Sequence, residues 1–205
     1  MQRRKFLVGM GSLAAGGAAT LATGATSISN ADRSADVNVV ADNLGVLALE
    51  DASNSDLVNL TNDELEIDFT EGGADGVSIG SEVVIGEINF STGNATGAAF
   101  RVRNQGTQAY DLNYSYELDN PGTLNSGGSK LAFHNFYNTH FNALEISDST
   151  VGGNGKDRVT GFLSNHSGLS TGDAVDFAVF VDTTGSSAST SEDLSGELTI
   201  GATPH

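Results

Sequence analysis

Residues 110–118 read Tyr-Asp-Leu-Asn-Tyr-Ser-Tyr-Glu-Leu, and their strict alternation constrains the fold more than any other stretch of the chain. Tyr110, Leu112, Tyr114, Tyr116 and Leu118 fall on one face of an extended strand, and Asp111, Asn113, Ser115 and Glu117 on the other. Such a segment needs a second apolar surface to cover its inner face. Residues 174–182 supply one: Val175, Phe177, Val179 and Val181 alternate with Asp176, Ala178, Phe180 and Asp182, and Leu198 and Ile200 follow. Between them lie short apolar runs punctuated by Gly, Asn, Asp and Ser, with 26 Gly and only 2 Pro in the chain, as many tight turns require. The pattern predicts strands near 36–40, 45–49, 65–69, 82–90, 98–103, 109–118, 130–136, 143–146, 158–163, 174–182 and 194–201. A helical turn or two is expected within 54–66, capped by Asn54 or Ser55 and carrying Leu57, Leu60 and Leu65. Strands at this spacing indicate an all-β fold, a jelly-roll or immunoglobulin-like β-sandwich with long acidic loops.

The N-terminus is of a different kind. Arg3, Arg4 and Lys5 precede Phe6 and Leu7, and an uncharged stretch rich in Gly and Ala runs to Ala25. A basic region, a mildly apolar region and a small-residue end are the layout of a secretory leader. The pair Arg3-Arg4 marks the twin-arginine variant, with Phe6 and Leu7 completing the signal. The expected organisation is a signal peptide at 1–25, a flexible mature start at 26–36 and one sandwich domain at 37–205. The product would then be secreted, at the cell surface or in an extracellular matrix. No later apolar run is long enough to span a membrane.

Charge narrows the partners. The chain has 9 Lys+Arg against 26 Asp+Glu, a net of −17. Arg3, Arg4 and Lys5 would leave with the leader, and no acid precedes Asp32. Such a surface repels phosphates and anionic lipid, so nucleic acid is not an expected partner. It suits a solubility device for concentrated salt, where screening removes most self-repulsion, or else cation binding. With no cysteine, disulfides, thiolate metal sites and cysteine nucleophiles are excluded.

Catalytic motifs are missing. His134 and His140 are six apart, which on an extended chain places them on one face but distant, and not in the spacing of a helical zinc motif. No Gly-x-Ser-x-Gly elbow occurs. The chain is therefore expected not to be an enzyme and to need no cofactor other than, at most, Ca²⁺. Asp148, Asn154 and Asp157 share a Gly-rich loop, and Asp63, Glu64, Asp68, Glu71 and Asp75 cluster in another. Oxygen-rich loops of this kind hold Ca²⁺, although neither follows the EF-hand order, and a solvated acidic loop is the plainer reading. Asn59, Asn89, Asn94, Asn113 and Asn165 each begin an Asn-x-Ser/Thr glycosylation acceptor. Asn113, on the polar face of the alternating strand, is the more testable.

Three stretches carry a resemblance. Residues 24–33, Gly-Ala-Thr-Ser-Ile-Ser-Asn-Ala-Asp-Arg, lead into Asp36-Val-Asn-Val-Val-Ala-Asp42. Residues 99–108 read Ala-Phe-Arg-Val-Arg-Asn-Gln-Gly-Thr-Gln, a strand followed by Asn-x-Gly. Residues 169–181 and 194–200 form the ending. Together they resemble secreted haloarchaeal proteins of unassigned function and the camelysin and TasA biofilm-fibre family. The resemblance implies a jelly-roll-like sandwich and homopolymerisation, a subunit's N-terminal segment entering its neighbour as a strand. Val37, Val39, Leu44, Leu47 and Leu49 are the apolar residues such a donor segment would carry. The alternative for those residues is pairing within their own domain. The alternative for the whole protein is a monomeric cell-surface module binding carbohydrate or Ca²⁺. The metalloprotease activity discussed for camelysin is not carried over, since its zinc motif is absent.

Overall fold

The computed structural model describes residues 36–41, 45–61, 64–69, 76–89, 91–92, 94–95, 97–137, 140–151, 158–163 and 168–205. All belong to the compact unit formed by residues 31–205. Its strands are β1 (Asp36–Ala41), β2 (Leu47–Asp51), β3 (Val58–Thr61), β4 (Glu64–Asp68), β5 (Glu82–Ile85), β6 (Ile88–Asn89), β7 (Asn94–Ala95), β8 (Phe100–Asn104), β9 (Tyr110–Leu118), β10 (Lys130–Tyr137), β11 (His140–Ile146), β12 (Arg158–Leu163), β13 (Ala174–Asp182) and β14 (Gly196–Pro204). One 3-10 turn, Pro121–Thr123, follows β9.

The first sheet runs β12-β9-β14-β1-β4-β3. The second runs β11-β10-β13-β8-β2, with β5 also pairing β13, and β6 and β7 form a small hairpin. Consecutive strands repeatedly change sheet, from β8 to β9 to β10 and from β12 to β13 to β14. That is the Greek-key habit of a sandwich. Pairing is antiparallel except between β1 and β14.

The core lies between the sheets and follows the alternation. In β9 the residues at 110, 112, 114, 116 and 118 are buried, and Val175, Phe177, Val179 and Val181 of β13 face them across the gap. Tyr114 meets Phe177 edge to face at 6.0 Å, and Tyr116 meets Phe133 at 5.4 Å. Each pair joins one sheet to the other, and aromatic contacts of this geometry add about 0.5–1.5 kcal/mol beyond area burial.

Several expectations are corrected. The helix expected within 54–66 is a turn followed by the β3–β4 hairpin. Leu57 and Leu60 do not face the core together: Leu60 is 42% exposed, whereas Val58, Leu65 and Ile67 are buried with period two. Ser55 Oγ accepts from the Leu57 amide at 3.3 Å, closing a turn rather than capping a helix. The single strand expected at 82–90 breaks at Gly86. Its φ is +87°, and a Cβ there would press on Ala99 N and the Ala178 methyl at 3.0 and 3.1 Å, so the chain turns out of β5 where only glycine fits. Nor do His134 and His140 share a strand. They lie on β10 and β11, where Tyr137 pairs with His140 and His134 pairs with Ala143.

Candidate functional site

β1 is the element of most interest, because it carries the first residues proposed as a donor segment. It is paired on both sides. Residues 37–41 pair in parallel with 196–200 of β14, and residues 36–39 pair antiparallel with 65–68 of β4. Val37 and Val39 are fully buried. Alternation explains this: these two valines point into the core from a six-residue strand. Here β1 fills its own domain's sheet.

The other donor candidates lie apart from it. Leu47 and Leu49 face the core from β2, the edge strand of the second sheet, and Leu44 lies outside the described residues. The donor segment therefore divides. Of its two strands, β1 has a neighbour on each side and β2 lies at a sheet edge.

Beside β2 the outer face of the second sheet carries charge. Arg103 forks onto Glu50 at 2.6 and 3.0 Å and also donates to the Gly172 carbonyl. Arg101 forks onto Asp176 at 2.6 and 3.2 Å. The hydrogen bond from Arg103 holds the Glu50 carboxyl below its ordinary value. These groups sit about one-third exposed, so they arrange the surface more than they stabilise it.

A second carboxylate is treated oppositely. Glu192 is 2% exposed, and its oxygens accept from the backbone amides of Asn125, Ser129 and Ser189 and from the Ser129 hydroxyl, at 2.9–3.3 Å. Burial pushes its pKa up, but these donors outweigh burial and hold it below the usual carboxylate range. Gly128 makes room, since a Cβ there would overlap Glu192 Oε1. Glu192 thus fastens the β9–β10 loop to the β13–β14 loop.

Sequence reading missed that role, because acids are abundant and nothing local distinguishes this one. It also missed Asn104, although Asn104 opens the quoted Asn-x-Gly segment. Fully buried, Asn104 donates to the Gln108 and Leu169 carbonyls and accepts from the Gly106 amide. It locks the turn after β8 to the approach to β13. Asn135 is buried as well, its Nδ2 donating to the Tyr114 hydroxyl at 2.8 Å.

A cleft of about 550 Å³ opens between the Ala52–Ser55 turn and the β5 end, with Gly97 and Ala98 on its far wall. Glu87 is its carboxylate. Ser53 and Ser55 already bond within their turn, and no aromatic ring or histidine lines it.

The remaining candidates are dispersed. Asp148 is half-buried after β11, while Asn154 and Asp157 lie outside the described residues, as do Arg3, Arg4, Phe6, Leu7 and Asn165. Among the described residues no three His, Asp or Glu side chains group closely enough to hold a metal, and no helix is long and apolar enough to cross a membrane. Asn59 and Asn89 are exposed, and Asn113 is half-buried. Asn94 pairs with Asn89 in the β6–β7 hairpin.

No family model matches the chain, and the comparison with curated proteins gave no match. Among solved structures, a carbohydrate-binding module described as GH31 CBM32-2 bound to GalNAc is similar at 12% identity. The alignment covers 78% of this chain and 97% of that one, with a TM-score of 0.27. A likeness that weak bears on neither fold nor ligand, and the sandwich stands on strand register and burial.

Proposed function

We propose that the protein is an exported, non-enzymatic subunit of an extracellular filament or matrix, and that β1 is the strand one copy lends to the next. The observation that carries this reading is the seat of β1. It is the first described strand of the chain, yet it lies inside a sheet, between β14 and β4. The hydrogen bonds and the two valine pockets are the same whether β1 comes from its own chain or from a neighbour, which is the condition for strand exchange. A copy whose β1 leaves exposes the edges of β14 and β4, and an incoming strand closes them. Because donor and acceptor are different surfaces, the contact is head-to-tail and propagates. In sequence β1 ends at Ala41 and β2, in the other sheet, begins at Leu47. Export through the twin-arginine pathway would deliver the subunit folded. Concentrated salt would screen repulsion between copies that, without Arg3, Arg4 and Lys5, carry 6 basic against 26 acidic residues, a net of −20 each.

Electron microscopy of the secreted protein in concentrated salt tests the reading. The full mature chain is expected to form filaments, and a chain lacking residues 26–41 single particles. Filaments from the truncated chain would overturn it. The second reading, a monomeric surface module for carbohydrate or Ca²⁺, has the cleft beside Glu87 in its favour. It predicts a saturable rise in melting temperature with added Ca²⁺ or sugar; a flat titration counts against it.

A further inference from the structure

The asparagines of four of the five acceptor motifs are described residues, and their settings differ. Asn113 lies in the middle of β9, paired with Phe162 of β12 on one side and Gly201 of β14 on the other. Its carboxamide rests on Gly201: a Cβ added there would come 2.6 Å from Asn113 Oδ1. Lifting this strand into an enzyme's active site would break two ladders of the sheet. Asn59 is exposed on the edge strand β3, but its Nδ2, the atom to be modified, donates to the Asp56 carbonyl at 3.3 Å.

Asn89 is different. It ends β6 at the turn of the small hairpin, and Asn89, Ser91 and Thr92 are all exposed. The Thr92 amide donates to the Asn89 carbonyl at 3.0 Å, closing the turn. The Ser91 amide donates to Asn89 Oδ1 at 3.1 Å. This Asx turn fixes the side chain by its oxygen. Among the described residues no acceptor holds Nδ2. At the neck of the hairpin the packing is close: a Cβ at Gly86 would come 3.0 Å from Ala99 N, and one at Gly97 3.3 Å from Glu87 N.

We infer that Asn89 is an N-glycosylation site and that the folded sandwich, not the motif, selects it over Asn113. The inference rests on the export part of the functional reading, because a chain folded before it meets a transferase offers only what its surface presents. The donor would be a lipid-phosphate-linked oligosaccharide. Asn89 Nδ2 forms a bond to the first sugar's C1 as the bond from C1 to the phosphate oxygen breaks. The lipid phosphate leaves with the electron pair, and the displaced amide proton passes to a base of the transferase. Asn94 is the register partner of Asn89, and a glycan is wider than the strand spacing of about 4.8 Å, so the hairpin carries one.

Mass spectrometry of the leader-free protein from the medium of the producing cell tests this. The expected result is a glycan mass on the peptide holding Asn89. Asn89→Gln and Ser91→Ala should each remove it, Ser91→Thr should keep it, and Asn113→Gln should leave the mass of the glycan unchanged. Bare Asn89, or a glycan on Asn113 or on Asn94 with Asn89 empty, overturns the inference. If the protein is instead retained in the cell with its leader, the export reading fails separately. The acceptor is then tested with purified folded chain, a purified oligosaccharyltransferase and its lipid-linked donor. Transfer to Asn89 supports the site, and failure while a peptide of residues 86–95 is glycosylated overturns it.

Discussion

β9 and β1 are both interior strands of the same sheet, separated by β14, and they are held in different ways. β9 has nine residues and is tied across the sandwich. Tyr114 reaches Asn135 and Phe177, and Tyr116 packs on Phe133 and donates to the Leu194 carbonyl at 2.5 Å. Its far end leads into the loop that Glu192 fastens. β1 has six residues and two ladders, and its described side chains are the buried Val37 and Val39. The difference separates a strand that organises the core from one that fills a slot, and only a slot-filling strand can be exchanged without dismantling its domain.

Substitutions can break or sharpen that contrast. The largest effect is expected in β9: Tyr116→Ala should cost about 3–5 kcal/mol, read by urea unfolding, and should abolish folding or nearly so. Next comes the fastening of its far end. Glu192→Gln should cost about 2–3 kcal/mol, since a charge-accepting hub becomes a neutral amide facing N–H donors. Because the folded Glu192 carboxyl is held low, its contribution is complete above the unfolded carboxylate pKa of about 4.3. It is lost as pH falls through the lower folded value. The variant should therefore lose less stability than the parent across that acid range.

Val39→Ala in β1 should cost about 1.5–2 kcal/mol, roughly two methylene equivalents of burial. In an assembling protein it should also raise the concentration at which filaments form, which light scattering measures, whereas Tyr116→Phe should not. The smallest effect is expected on the outer face of the second sheet. Arg101→Gln should cost at most about 1 kcal/mol, and less in concentrated salt. A large loss there would show that this exposed pair, which joins the adjacent strands β8 and β13, counts for more in the second sheet than its exposure allows.

How far the sequence could be read follows from these same residues. β9 and β13 were legible because each buries one alternating set of apolar residues, and in β9 the other set is wholly polar, so period two is written directly in the residue types. β1 was legible as a strand, but its partners were not: pairing with β14 joins residues some 160 positions apart, and nothing local encodes that. The β3–β4 hairpin was misread because Leu57, Leu60 and Leu65 imitate a helical period over a span too short to arbitrate. Gly86 carried the break between β5 and β6, but an isolated glycine in an apolar run does not reveal its φ. Glu192 and Asn104 were illegible for a related reason. Glu192 matters through the Asn125 and Ser129 amides of another loop, and Asn104 through its bond to the distant Leu169 carbonyl. Asn89 and Asn113 bear equivalent motifs, and only the sheet around Asn113 tells them apart.

The chain's lack of cysteine allows the exchange of β1 to be tested by a single engineered pair. Asn38 in β1 and Glu66 in β4 are register partners, and residues opposed on antiparallel strands lie about 4.5–5.5 Å apart, within reach of a disulfide. A chain carrying Asn38→Cys and Glu66→Cys, assembled in concentrated salt and then oxidised, is predicted to run on a denaturing non-reducing gel as a covalent ladder of subunits that collapses on reduction. A cross-linked single chain in every assembled particle, with no ladder, would contradict the account, because β1 would then belong to its own domain alone.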